Sequence, residues 1–457
     1  MPAAFGPANP HNGCFSGIAT MSRLGPALIR TFAARGAAVL GSLLLMALVG
    51  RWYGPVGVGV LALAQSLLLG LATLARYGLG GALMRYAGRD PDDPHLRRYL
   101  RWALQTALVA SVVAALGLVL LRTPLTCFFD APGLDQVLPG IAFALPPFTL
   151  AFVLAGLFKG LHRPALASLL ENGGVALATV VVLWGLQEWW PGRGLTSLGS
   201  AYALAAWGLL ILALWPLMGW VRGAADSEAG PVALTPRAFF ATGQAFFFTN
   251  LAMLMQSVLG VLLAGWLLAS AELGLFRAAQ QLGTAVSFVL VALNAVFPPR
   301  FAALYHRGDL AGLGRLARQG ALFGTLLAAP LLILLMLAPE WVLGWLGEGF
   351  AGAAPLLRLI ALAQLVNVLC GSVGFVLNMS GHEKLMRNIS LICATLSLTL
   401  FFVLIPGFGA FGAALALAIT LVAQNLMAVW YVWRRLGVWT LPLPNPLPAL
   451  GIKPGEG

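Results

Sequence analysis

Tyr53–Tyr86 reads YGPVGVGVLALAQSLLLGLATLARYGLGGALMRY, and 215 positions later Leu268–Phe301 reads LASAELGLFRAAQQLGTAVSFVLVALNAVFPPRF in the same register, without a gap. Gly59 falls on Gly274, Ala64 on Ala279, Gln65 on Gln280 and Arg85 on Arg300. Glycine, glutamine and arginine keep their places in an otherwise apolar background, so the chain is built from two copies of one plan. Each apolar run ends in an arginine, and the distribution of arginines fixes the sense in which a run crosses a membrane. Both copies therefore run in the same sense. A parallel repeat of this kind requires an even number of crossings per copy.

Of the 457 residues 60% are hydrophobic and only 9% charged, against roughly one-quarter charged in soluble domains. A helix rising 1.5 Å per residue needs about 20 apolar residues to cross a hydrocarbon core of about 30 Å. Twelve runs qualify, at 27–50, 56–84, 101–121, 136–158, 164–187, 198–221, 238–268, 273–299, 314–338, 354–379, 385–405 and 409–433. They are long, Leu/Ala/Val-rich and not alternating, which selects helices over barrel strands. The expected fold is an all-α integral membrane protein of about 12 transmembrane helices, six in each copy.

An even number of crossings with both termini on one side leaves only Arg51, Arg76, Arg122, Arg193, Arg277 and Arg358 of the 27 basic residues away from that side. By the positive-inside rule that side, and both termini, are expected to be cytoplasmic. The formal charge of +12 is then a topology signal, and nucleic acid is not an expected partner. All five histidines fall in tails or loops of the same side.

The expected organisation is a disordered tail over 1–21, a first lobe over 22–222, a polar cytoplasmic linker over 223–236, a second lobe over 237–437 and a cytoplasmic tail over 438–457. Met21, just before the first apolar run, is an alternative start. No basic stretch followed by an apolar h-region opens the chain, so a cleaved signal peptide is not expected. Cys14, Cys127, Cys370 and Cys393 lack metal-ligand spacing and read as small packing residues. The repeat continues past the first alignment: Phe158–Arg163 is echoed by Asn378–Glu383, with His162 on His382. Proline at Pro298–Pro299 reads as a helix terminus rather than a moving hinge.

Nothing resembles a phosphate loop, a zinc site or a catalytic triad. The loops opposite the basic side are short, the longest lying around 123–135 and 187–196. No domain outside the bilayer is expected to assemble a catalytic site, so the reading is a non-enzyme with no cofactor.

Ionisable side chains at hydrocarbon depth cost about 2.5–3.5 kcal/mol each on insertion scales, which makes the survivors functional candidates. Most here are cations. Arg35 lies well inside the first run, and Arg76 lies roughly 13 Å along a helix from the terminal Arg85. A wet cavity lined by Arg30, Arg35, Arg76 and Arg277 would hold a phosphate or pyrophosphate, because guanidinium donates paired hydrogen bonds to its oxygens. It would repel an organic cation. Arg30, Arg51 and Arg358 also fit snorkelling to headgroups, and Arg277 fits a pair with Glu272. Glu171, the one acid placed deep in a run, reads either as a proton- or sodium-linked switch or as a structural bridge to a neighbouring arginine. Gln65, Gln280, Asn250, Asn294, Asn367 and Asn378 read as interhelical hydrogen-bonding groups.

The segments Tyr53–Leu63 and Leu79–Tyr86, with Ala292-Leu293-Asn294, Pro299–Ala302 and Leu377–Lys384, resemble the polysaccharide-biosynthesis transporters, the O-antigen and exopolysaccharide flippases of the multidrug/oligosaccharidyl-lipid/polysaccharide exporter superfamily. The likeness covers Met21 to Leu436. It implies two six-helix lobes related by an axis along the membrane normal and facing a central cavity. It implies a polyprenyl-pyrophosphate-linked oligosaccharide as cargo, moved to the outer leaflet by alternating access in a bacterial cytoplasmic membrane. A proton or sodium gradient and other polysaccharide-assembly proteins are the partners it implies. Some relatives carry fourteen helices, including the peptidoglycan-precursor flippases, where this chain shows twelve. Two rivals remain: a multidrug cation antiporter of the same superfamily, which should place acids in its cleft, and a membrane polysaccharide polymerase or glycosyltransferase, which the short outer loops disfavour.

Overall fold

The structure is a computed structural model that describes residues 13–443, apart from 92, 190, 191, 193, 224–234, 295 and 296; the side chains of 13–35, 172, 223, 252, 253, 255–257 and 292 lie outside the description. Among the described residues the regular structure is helical throughout. Seven helices are long and apolar enough to cross a membrane, and Pro164–Glu171 with Gly174–Trp189 forms one further span bent by 53°. Two of the seven cross twice. Ser42 and Gln65 belong to the same helical segment, Gly13–Ala75, yet line one small pocket, where a straight helix would separate them by about 34 Å. The chain doubles back at Gly54 (φ 65°, ψ −167°), a conformation essentially reserved for glycine. Glu383–Leu436 does the same at Gly409 (φ 55°, ψ −137°), bringing Ser390 beside Gln424.

The remaining crossings are continuous or broken by short interruptions. The third, fourth and sixth are Leu96–Leu120, Leu134–Gly160 and Thr196–Gly223. The second continues from the Gly54 turn through a break into Leu79–Arg89. The seventh is Pro236–Ser257 with Leu259–Leu267, and the eighth is Ser270–Ala285, Phe288–Leu293 and Phe297–His306. The ninth is Leu310–Leu337, and the tenth joins Ala354–Cys370 to Val373–Met379. A helix or a series of shorter helices thus lies over each of the twelve expected runs. Pro298 and Pro299 fall in the first turn of Phe297–His306, where a missing amide donor costs nothing, so they mark a helix terminus.

Two boundaries differ from the sequence reading. The first helix is described from Gly13 rather than from 22, since no proline interrupts the stretch between Pro10 and Pro26; the expected tail over 1–12 lies outside the described residues. Beyond Leu436 the chain does not leave at once: Val438 and Thr440 are buried against the second half, and only 444–457 falls outside the description. Of the linker, 224–234 is also outside it.

Three apolar cores hold the molecule together. One, at the end away from most arginines, is shared by both halves and joins Leu45, Leu63 and Leu145 to Phe276, Leu357 and Phe401. The other two lie toward the arginine-rich end: Leu83, Tyr99 and Phe158 centre one, which also takes in Phe239 of the seventh crossing, and Phe301, Leu377 and Val432 centre the other, within the second half. The halves therefore form two lobes, joined broadly at one end and, toward the arginine-rich end, through the seventh crossing, where the Tyr86 and Thr242 hydroxyls lie 2.8 Å apart. The fourth crossing is the interior post of its lobe, with 83% of its most apolar window buried against 22% for the third.

The junction explains the repeat. A Cβ at Gly59 would run into the Ser270 carbonyl, and a Cβ at Gly274 into the Pro55 carbonyl. Pro55 and Ser270 are themselves equivalent positions in the two copies. Such an exchange of i with j is what a two-fold axis produces, and only glycine allows backbones this close. Beside it, Arg51 Nε donates to the Trp345 carbonyl at 3.0 Å.

Candidate functional site

Arg76 occupies the break between the two parts of the second crossing, where Tyr77 (φ 45°) and Gly78 (φ 69°) turn the chain. That position takes the guanidinium off the regular helix and into a cavity of about 140 Å³ between the lobes. Glycine builds much of the wall: Gly78, Gly80 and Gly81 from the second crossing and Gly156 from the fourth. Phe246 and Asn250 of the seventh crossing close the other side, so both copies contribute. Asn250, expected to bond between helices, makes no side-chain hydrogen bond to another described residue and faces this space.

The guanidinium is only partly satisfied. Nη2 donates to Thr73 Oγ1 at 3.2 Å, and Cζ lies 4.7 Å from the centre of the Phe152 ring, a cation–π contact. Nε is buried without a hydrogen-bond partner. Lys159 and Glu171 line the same cavity and pair with each other, Nζ to Oε1 at 2.6 Å. Glu171 is carried on the π-helical turn Leu169–Gly173, a local widening that recurs at functional sites. With two cations and one carboxylate in the walls, the charge left over is positive and sits on Arg76.

Arg277 is elsewhere. It lines a separate pocket of about 50 Å³ at the lobe junction, with Ser42, Met46, Gln65 and Gln281. Its Nη1 donates to Gln280 Oε1 at 2.7 Å, not to Glu272, which lies near Gly409. The expected single cavity of four arginines is therefore divided: Arg76 and Arg277 do not share a pocket, because one stands at the break of its crossing and the other near the start of the equivalent crossing. Arg30 and Arg35 lie outside the described side chains. Arg51 and Arg358 are exposed near crossing ends, the latter paired with Glu340 at 3.0 Å, in keeping with the snorkelling alternative.

Sequence reasoning placed Lys159 at a loop end and missed that its long stem brings the ammonium to Glu171. It also missed a larger cavity of about 410 Å³ within the second lobe, lined by Gln280 and Thr284, Gln364, Ser390 and Ser397, and Thr420 and Gln424 from four crossings, with Phe276 and Phe401. A hydrogen-bond chain runs behind it: Ser287 Oγ donates to Gln364 Oε1 at 2.6 Å, Asn367 Nδ2 to the same oxygen at 2.9 Å, and Asn425 Nδ2 to Asn367 Oδ1 at 3.1 Å. The expectation of interhelical bonding holds for Asn367, which reaches Ser287 and Asn425, whereas the side-chain bond of Gln280 to Arg277 lies within its own helix. The only available signal for the cavity was the recurrence of amides and hydroxyls in apolar runs.

Residues 29–305 match the family model described as "Polysaccharide biosynthesis protein". The "Uncharacterized membrane protein EpsK" of Bacillus subtilis (strain 168) is 26% identical over 208 residues, 44% of this chain and 41% of that protein, so the match spans less than half the length of this curated relative. Among solved structures, an inward-facing multidrug resistance MATE family transporter of the MOP superfamily superposes with TM-score 0.66 at 13% identity, covering 88% of this chain and 94% of its own. The lipid II flippase MurJ, in an inward closed conformation, superposes with TM-score 0.64 at 11% identity, covering 89% and 87%. At those identities the likeness is one of fold. The repeat, the twelve helical runs, the paired lobes and the match over 29–305 together make this chain a multi-pass membrane protein of the polysaccharide biosynthesis protein family.

Proposed function

We propose that the protein is a flippase: it moves a polyprenyl-pyrophosphate-linked oligosaccharide from the cytoplasmic to the outer leaflet of a bacterial cytoplasmic membrane by alternating access. The observation that carries the proposal is the unpartnered Arg76 Nε in a cavity whose walls come from both lobes. A buried donor without an acceptor is costly, and a pyrophosphate oxygen would supply the acceptor. The most extensive core common to both halves lies away from the arginines, and in this reading cargo enters from the arginine-rich side, which it makes cytoplasmic. The polyprenyl chain would stay in lipid between the lobes, and no covalent step is required.

In this reading Arg76 binds the phosphates, with Arg30, Arg35 and Arg277 as further cationic candidates, and Glu171 is the group through which a proton or sodium ion acts. While ionised, Glu171 holds Lys159; once neutralised, it releases the ammonium to the cavity. The shared fold with multidrug transporters favours a second reading, cation efflux, but a site whose surplus charge is positive opposes it.

The test is made in cells lacking the native gene. Wild type should restore surface glycan, Arg76→Ala should leave lipid-linked glycan in the inner leaflet, and Arg76→Lys should restore export only in part, since a point charge replaces a two-pronged donor. Full export by Arg76→Ala would overturn the assignment.

A further inference from the structure

We infer that the 410 Å³ cavity of the second lobe seats the saccharide part of the cargo, apart from the phosphate-binding Arg76; the inference rests on the flippase reading. Its volume falls within the range of about 300–1,000 Å³ that ligand sites occupy. Among the described residues no Asp, Glu, Lys, Arg or His lines it, so they offer no charge to an anion or a cation. What it offers is hydrogen bonding in both senses beside an apolar wall, the combination a sugar ring presents in return: hydroxyls around its edge and C–H groups across its face.

The polar groups are free for such use. Arg277 occupies Gln280 Oε1, which leaves the Gln280 amide protons as donors. Ser287 and Asn367 occupy Gln364 Oε1 in the same way. Gln424, Ser390 and Ser397 make no side-chain hydrogen bond to another described residue and line the cavity. A space kept for a polyprenyl chain would need none of these groups, and each is costly to hold unpaired at hydrocarbon depth. Leu398 and Leu417, backed by the buried rings of Phe276 and Phe401, supply the apolar wall. Thr284 is exposed on the eighth crossing, and Gln281 of that crossing reaches Ser42 of the first lobe. The cavity therefore adjoins the lobe junction rather than lying sealed inside one lobe.

The experiment uses the full chain in lipid nanodiscs and measures binding of two probes by native mass spectrometry: polyprenyl pyrophosphate without sugar, and the same lipid carrying hexose or N-acetylhexosamine disaccharides. Wild type should bind at least one disaccharide form more tightly than the bare lipid. Gln424→Leu and the milder Ser397→Ala should each weaken that form about tenfold while leaving the bare lipid within twofold, and Arg76→Ala should weaken both. Equal effects of Gln424→Leu on the two probes, or none on either, would overturn the saccharide assignment, as would a selective loss of the bare lipid, which would mark the cavity as a seat for the prenyl chain. A wild type that binds both probes equally overturns this inference alone. A wild type that binds neither removes the flippase reading as well.

Discussion

Arg76, Lys159 and Glu171 form a three-charge arrangement in which one ion pair is closed and one cation remains. The pair is partly exposed, Lys159 by 38% and Glu171 by 19%, so its own contribution to stability is at most about 1 kcal/mol. Its larger effect is on the cavity. Glu171→Gln removes the carboxylate and leaves two uncompensated cations, so polyprenyl pyrophosphate should bind several-fold more tightly; Lys159→Ala leaves Arg76 facing Glu171 and should weaken binding by a similar factor. Titration in nanodiscs checks this, and opposite shifts would show that the pair does not set the charge of the site. Arg76 was legible in the sequence because a guanidinium nine residues from the end of an apolar run needs a reason to be there. The role of Lys159 was not legible, since from its position it belongs to a loop and only its side chain enters the site. Gln280, Gln364 and Gln424 escaped for another cause: amides are common between helices, and nothing in a linear reading brings three of them around one space.

The helices themselves were written plainly in the apolar runs, and helix lies over all twelve of them. Their internal breaks were not. The turn at Arg76–Gly78 lies where the second crossing meets the seventh, a side chain at Gly78 running into the Gly243 carbonyl, whereas the π-helical turn at Leu169–Gly173 packs inside the first lobe, with Gly173 against Ala38. Gly54 is the clearest case of a residue demanded by backbone geometry alone. Nothing lies within 4 Å of where its Cβ would be, so a substitution there meets open space and pays only for the dihedral angles. Gly54→Val should therefore lower stability by about 1–3 kcal/mol without altering any contact, measured as a lower midpoint of thermal unfolding in detergent. An unchanged midpoint would mean that the first and second crossings do not depend on this turn.

At the scale of the whole molecule, the repeat legible at 53–86 and 268–301 turns out to be the lobe junction. Gly59 and Gly274 were visible as matched positions, but their mutual contact follows from a two-fold relation that one copy cannot reveal. We propose lobes bounded at 22–222 and 237–437, with the junction as the gate at the end opposite the arginines. A side chain at Gly59 must displace the Ser270 backbone, an overpacking of about 1–3 kcal/mol, enough to shift a balanced equilibrium about 5- to 150-fold. Gly59→Val and Gly274→Val should each move the lobes apart at this end. Spin labels on cysteines placed at Trp52 and Glu348, with the native cysteines replaced, should report longer distances in either variant; distances equal to those of the parent would show that the junction is not a gate.

In the proposed cycle a cationic cavity between two lobes carries a pyrophosphate-linked glycan across the bilayer. Its most direct measurement is a flip assay in liposomes made from purified protein and a polyprenyl-pyrophosphate disaccharide, scored by the appearance of the glycan to an external lectin. Wild type should expose the glycan, and Arg76→Ala should fall to the rate of protein-free liposomes. Equal rates for wild type and Arg76→Ala, or a wild type that moves organic cations and leaves the glycan lipid in place, would contradict that cycle.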